Sequence, residues 1–199
     1  MKNPKNISLL GQLSIDFIGL IFYSKSPRYA INLLPQELSV LPDSVDRVGV
    51  FVNEDIENIA ELKNKYSLTH IQLHGHESPE FCEKCLELGK VIKAFNISEI
   101  SDLAKVKEYV EVCDYFLFDT KTSGYGGSGL KFDWRILNAY HENIPFFLSG
   151  GISESDIDNI NNLSLPLLYA LDLNSRFEIE PGLKDINKLS NFMSHLKSK

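Results

Sequence analysis

Asp119 closes the apolar run Tyr115-Phe116-Leu117-Phe118 and opens Thr120-Lys121-Thr122-Ser123-Gly124-Tyr125-Gly126-Gly127-Ser128-Gly129, a loop with four glycines. A carboxyl group at the end of a strand, beside a backbone that can fold closely round a ligand, is suited to moving a proton. The same pattern also fits an Asp that merely starts a turn, and spacing alone leaves the two readings equal. Cys82-x-x-Cys85 is a second arrangement with chemical potential. Thiols so spaced can hold zinc or cycle through a disulfide, but no second Cys or His pair follows at ligand spacing, so ordinary thiols on a helix are expected. With Cys113 the cysteines number three, an odd count that fits a reducing compartment better than a disulfide framework.

Asp119 can act only if a strand delivers it. Short apolar, β-branched runs recur at Phe17 to Tyr23, Arg47 to Val52, His70 to Leu73, Val91 to Phe95, Tyr115 to Asp119, Phe146 to Ser149 and Leu168 to Leu173. Helical patterns separate them, which is the signature of a parallel sheet built from βα units. Helix starts are marked by Ser78 before Pro79, by Ser98 before an apolar-periodic run, and by Ser153 three residues before Asp156 as a capping box. Asn3 and Pro4 start a first helix, and from about Asp185 a last helix places Ile186, Leu189, Phe192, Met193 and Leu196 on one stripe that should dock outside the sheet. Eight helices thus accompany seven strands, and the strand without a counterpart belongs at the front. Periodicity does not say whether such a sheet closes, so a doubly wound open sheet is the alternative to a barrel. His74 and Asp172 end strands on the same face as Asp119, where each can either touch a substrate or satisfy neighbouring loops.

The 199 residues are 43% hydrophobic and 24% charged with a mean hydropathy of -0.12, which describes an ordinary globular chain, expected as one domain over 1–199 without a linker or low-complexity segment. A net charge of -7 and a pI near 5.2 speak against nucleic acid as partner, while a few converging basic residues could still hold a small anion. No apolar run approaches the roughly 18 residues of a membrane span, and Met1 to Leu10 has no signal-peptide core, so the cytoplasm is the expected compartment.

Seven segments, in order, resemble phosphoribosylanthranilate isomerase. They are Phe22-Tyr23-Ser24-Lys25-Ser26-Pro27-Arg28-Tyr29, Val48-Gly49-Val50-Phe51-Val52-Asn53, Gln72-Leu73-His74-Gly75, the glycine-rich loop after Asp119, Phe132-Asp133-Trp134, Leu148-Ser149-Gly150-Gly151 and Pro181-Gly182-Leu183-Lys184-Asp185. The resemblance spans nearly the whole chain. It implies a (β/α)8 barrel and an Amadori rearrangement in tryptophan biosynthesis, with a phosphorylated small molecule as substrate and no cofactor or metal. It assigns the general acid to Asp119, which must hold a proton at working pH, and the anthranilate carboxylate to Arg28, whose planar, permanently charged fork suits it. Phosphate is then expected on backbone N–H groups at Gly150 and Gly151 and around Asn174, Ser175 and Arg176, with Gly126 and Gly127 among the substrate-binding residues. The family often has glycine where Arg176 stands; the guanidinium could reach the phosphate or pair with Glu178.

The chain departs from the family at its start. The family opens with a strand reading Lys-x-Cys-Gly whose cysteine is the general base, whereas here Met1-Lys2 runs into Asn3-Pro4. The expectation is a barrel lacking its first strand, with its seam between Phe17 to Tyr23 and Leu168 to Leu173. Cys82, Cys85 and Cys113 do not stand where that base would. Either the reading of this isomerase is incomplete at the front, or the chain is a paralogue that binds phosphoribosyl ligands without turning them over. A different phosphoribosyl-handling barrel enzyme fits the order of the segments less well.

Overall fold

The computed structural model describes residues 1–120 and 131–196. Seven strands run parallel in the order of the chain: β1 (Phe17–Ile21), β2 (Asp46–Phe51), β3 (His70–Leu73), β4 (Lys90–Ile97), β5 (Tyr115–Thr120), β6 (Phe146–Leu148) and β7 (Leu168–Leu171). Each coincides with an expected run to within two residues at either end. Both faces of such a sheet are covered, which is why its strands read as continuous apolar runs rather than alternating ones. One core lies between sheet and helices and contains Leu20, Phe51, Ile71, Phe116 and Phe118. A second, smaller core, built on Val48, Ile92, Ala94, Leu117 and Phe147, fills the opposite, inward face.

The sheet is curled. Laid flat, seven strands would put β1 and β7 roughly 29 Å apart, yet the Phe17 ring of β1 meets the Tyr169 ring of β7 at 6.0 Å and the Phe147 ring of β6 at 5.1 Å. The open, doubly wound alternative is thereby excluded. β1 and β7 nevertheless share no backbone ladder and form the two edges of the sheet.

Three of the helical connections tighten into 3-10 form, at Pro35–Leu38, Ile100–Tyr109 and Trp134–Ala139. The α-helices are α1 (Pro4–Leu10), α2 (Ile56–Tyr66), α3 (Pro79–Leu86), α4 (Ile157–Asn161) and α5 (Ile186–His195). Asn3 caps α1 by accepting from Asn6 N at 3.1 Å, and Ser78 caps α3 by accepting from Phe81 N at 3.3 Å. The helix expected from Ser98 starts at Ile100, because Asp102 folds back to accept from the N–H groups of Ser98 and Glu99 at 2.9 and 3.2 Å. Around Ser153 the capping box encloses a single 3-10 turn that leads into α4.

Two features near the edges differ from the sequence reading. The segment after β7 forms a hairpin of β8 (Glu178–Glu180) and β9 (Leu183–Lys184) around Pro181 and Gly182, a pair of turn formers. Helix α5 does more than cover the outside of the sheet. Phe192 packs on Phe177 with ring centroids 4.9 Å apart, while Leu189, Met193 and the following Leu196 line a cavity that residues of β1 and β7 also line. The buried Asn6 of α1 ties that region to β9: its amide donates to the Lys184 carbonyl at 2.9 Å and its carbonyl accepts the Lys184 N–H at 2.7 Å.

Candidate active site

In a parallel sheet every strand end points the same way, so residues from distant parts of the sequence meet at one rim. Asp119 is the next-to-last residue of β5. The register carries through β6 and β7: Ser149 N donates to the Phe118 carbonyl at 2.9 Å, and Asp172 N donates to the Leu148 carbonyl at 2.8 Å. Across the rim, His74 follows β3 and donates its backbone N–H to the Phe51 carbonyl at 2.8 Å. A cavity of about 770 Å³ runs from this rim along β1 and β7 as far as Phe17 and Tyr169, and its lining includes Asp119, His74, Asp172, Gly150, Gly151, Asn174, Ser175 and Arg28. Those expected residues therefore converge. Arg176, in the 3-10 turn Ser175–Phe177, is exposed and outside the lining. Gly126 and Gly127 lie outside the described residues.

Asp119 is held on both oxygens. Its Oδ1 accepts the Thr120 N–H at 2.8 Å, and its Oδ2 lies 3.5 Å from His74 Nε2, with the two side chains only 13% and 14% exposed. Gly150 adopts a left-handed φ of 93°, and a Cβ there would stand 2.8 Å from Thr120 N and 3.0 Å from Asp119 Oδ1. Only glycine lets that backbone pass beside the acid. Asp172 accepts from Ser149 Oγ at 2.9 Å. Burial pushes its carboxyl up from the ordinary range against the opposing pull of Lys184 and Ser149, and the nearby Asp119 adds to the rise.

Arg28, expected to be waiting for a ligand, already has a partner. Its Nε and Nη2 edge forks onto Glu178 at 2.6 to 3.0 Å, and the side chains are 13% and 4% exposed. Glu178 also accepts from Gly182 N at 3.1 Å and lies 3.5 Å from Lys184 Nζ. Burial alone would push the Glu178 carboxyl up, but Arg28, Lys184 and the Gly182 N–H together hold it below the usual range. Lys184 in turn donates to the Leu173 carbonyl at 2.7 Å and to Asn174 Oδ1 at 2.9 Å, so the Asn174 side chain is turned toward lysine. Neither Glu178 nor Lys184 was assigned a place in the site from sequence. A lysine beside a Pro-Gly turn looks like solvated surface until the hairpin folds it inward.

No cysteine lines the cavity among the described residues. Cys82 and Cys85 sit on α3, wholly buried in the outer core, and Cys113 is buried before β5. Among the described residues no group of three or more His, Cys, Asp or Glu side chains could hold a metal ion, and no helix is long and apolar enough to cross a membrane.

An acid beside a histidine, backed by glycine at the C-terminal rim of a curled parallel sheet, defines a (β/α)-barrel enzyme. A family model described as N-(5'-phosphoribosyl)anthranilate (PRA) isomerase matches residues 2–195. The isomerase of that name from Parabacteroides distasonis is 46% identical over 200 residues, covering 98% of this chain and 90% of that protein. The one from Phocaeicola vulgatus is 44% identical over 200 residues, covering 100% of this chain and 96% of that protein. Among solved structures, the Thermus thermophilus isomerase superposes with a TM-score of 0.86 at 27% identity over 98% of this chain and 94% of that one. A phosphoribosyl anthranilate isomerase bound to reduced 1-(o-carboxyphenylamino)-1-deoxyribulose 5-phosphate superposes with a TM-score of 0.80 at 32% identity, again over 98% of this chain and 94% of that one. The chain belongs to the N-(5'-phosphoribosyl)anthranilate isomerase family, isomerases of tryptophan biosynthesis.

Proposed function

We propose that this protein carries out the Amadori rearrangement of N-(5'-phosphoribosyl)anthranilate to 1-(2-carboxyphenylamino)-1-deoxyribulose 5-phosphate. The observation that carries this reading is the convergence of Asp119, Arg28 and the Gly150, Gly151 and Ser175 backbone on one cavity. Asp119 gives its proton to the ribose ring oxygen; the ring opens to a Schiff base; a base removes the proton from the adjacent carbon, and the resulting enamine tautomerises to the ketose. Arg28 keeps its Nη1 and Nη2 edge for the anthranilate carboxylate while Glu178 holds the other. Phosphate lies on the backbone after β6 and β7, where Gly150 and Gly151 have left-handed φ values of 93° and 65° and Ser175 opens a 3-10 turn.

The base of this family is a cysteine on a strand that would stand between β1 and β7. Three forms of the protein test the reading: the chain as it is, the chain with a Lys-x-Cys-Gly strand inserted between Lys2 and Asn3, and the same insertion with Ala for Cys. Turnover, followed by substrate fluorescence, is expected only with the cysteine, since a positioned base contributes roughly 10² to 10⁴ in rate. Robust turnover by the chain as it is would identify another residue as base. A second reading, ligand binding without catalysis, is favoured by the lack of a lining cysteine among the described residues. It would be supported if all three forms bound the reduced product analogue and none turned substrate over. Failure of all three to bind that analogue would sink the substrate assignment.

A further inference from the structure

Gln72 is buried in β3, lines the cavity, and places its amide nitrogen 3.0 Å from His74 Nδ1. With the Gln72 amide turned this way its nitrogen offers only N–H donors, which makes Nδ1 the accepting nitrogen of the ring. The imidazole proton is then on Nε2, the atom 3.5 Å from Asp119 Oδ2. We propose that Gln72 is a positioning residue for the acid: it fixes His74 as the Nε2–H tautomer, so that the imidazole donates to Asp119.

The geometry around His74 is built to hold that arrangement. Lys93, a buried lysine of β4, donates through Nζ to the carbonyls on either side of His74, Leu73 O at 3.2 Å and Gly75 O at 3.0 Å. Its ion-pair partner Glu77, 3.1 Å away, accepts the Gly75 N–H at 2.9 Å. With the main chain pinned on both sides, the ring pivots only about its own bonds, and Gln72 settles which nitrogen is protonated. An Nε2–H gains little from a neutral carboxyl group but donates strongly to a carboxylate. The interaction therefore strengthens as Asp119 releases its proton, which is the condition for lowering a barrier rather than merely binding. The reverse tautomer would turn a lone pair on the new carboxylate and oppose the step.

This inference rests on the acid role of Asp119 proposed above, and its test separates the two. Long-range proton–nitrogen NMR of the full chain reads the tautomer directly, with the His74 resonances identified by their loss in His74→Asn. A single Nε2–H form is expected in the wild type; an Nδ1–H form would overturn the proposal. Gln72→Met removes the donor and should yield a mixture of tautomers, and Gln72→Glu, whose carboxylate demands a proton on Nδ1, should yield Nδ1–H or imidazolium. An unchanged Nε2–H form in both variants would overturn the role of Gln72. In the form of the protein that turns over, kcat of Gln72→Glu should fall roughly 10- to 100-fold, as when an outer partner that fixes an imidazole is lost, with KM within twofold. Unchanged kcat would remove Gln72 from the reaction. Absence of turnover in every form would instead count against the proposed activity, while the tautomer measurement would still decide the positioning claim.

Discussion

Arg28 shows how much a residue's meaning depends on its neighbours. Its guanidinium is divided between a fixed internal carboxylate and, under the proposed function, a ligand carboxylate on the remaining edge. Glu178 then acts as the splint that aims Arg28 before substrate arrives, which spares the ligand the cost of ordering a long side chain. Arg28→Ala should weaken the reduced product analogue by about 10- to 100-fold, matching the roughly 1.5–3 kcal/mol of a hydrogen bond to a charged group. Inorganic phosphate, assigned under the same proposal to backbone at Gly150, Gly151 and Ser175, should bind within about twofold of wild type. Titration calorimetry with both ligands checks this, and an equal loss for both would detach Arg28 from the carboxylate. The polar side chains that line the cavity were legible in the sequence where they end an apolar run, as Asp119, His74 and Asp172 do. Their partners were less so. Glu178 and Lys184 reach the site through a hairpin whose inward fold no local pattern announces, and Gln72 reads as one more strand residue.

Among the elements, β4 carries the clearest departure from a pure apolar strand. Lys93 interrupts Val91-Ile92-Lys93-Ala94-Phe95, and a charge at the centre of a buried run is itself a signal that a buried counter-charge awaits. That counter-charge is Glu77, whose other oxygen accepts the Asn53 N–H at 2.8 Å, so one ion pair joins the segments after β2 and β3 to β4. The two side chains are 3% and 2% exposed. Lys93→Met would leave Glu77 buried without a cation and should cost about 3–5 kcal/mol in urea unfolding. Adding Glu77→Gln should recover part of that loss, because a neutral amide needs no counter-charge; full additivity of the two changes would argue against the pair. The strands themselves were legible because burial on both faces favours nearly continuous apolar runs. Helix type was not: three connections tighten into 3-10 form, where side chains such as Asp102 compete for backbone N–H groups that an α-helix would leave to its own turn.

At the scale of the whole molecule, the lower end of the barrel is packed with rings. His70 lies among Phe17 and Tyr115, at 5.3 and 5.8 Å, with its Nε2 buried and unpartnered. Burial lowers its pKa and Lys90 adds to this, while Asp46 and Asp114 pull the other way without prevailing. Between that lowered value and the ordinary one of about 6.5, the unfolded chain binds more protons than the folded one, so stability rises with pH through this window and falls on acidification. Chemical denaturation from pH 7.5 to 5 should show that slope, and His70→Phe should flatten it. A slope unchanged in the variant would place the titration elsewhere.

The ring cluster and the Arg28–Glu178 pair together make the curled sheet a clip fastened at two points by unlike means. At its base β1 is held near β7 by the rings of Phe17 and Tyr169, an apolar contact whose neighbour His70 alone makes it sensitive to acid. At its mouth the segment after β1 is held to the segment after β7 by a guanidinium and a carboxylate. Because Glu178 titrates below the usual range, that upper fastening persists above the ordinary carboxylate value and is released as pH falls through the lowered one. Mild acid should therefore loosen the base first, where His70 takes up a proton, while the mouth stays fastened until pH falls below the usual carboxylate range, so the ligand end outlasts the packing beneath it.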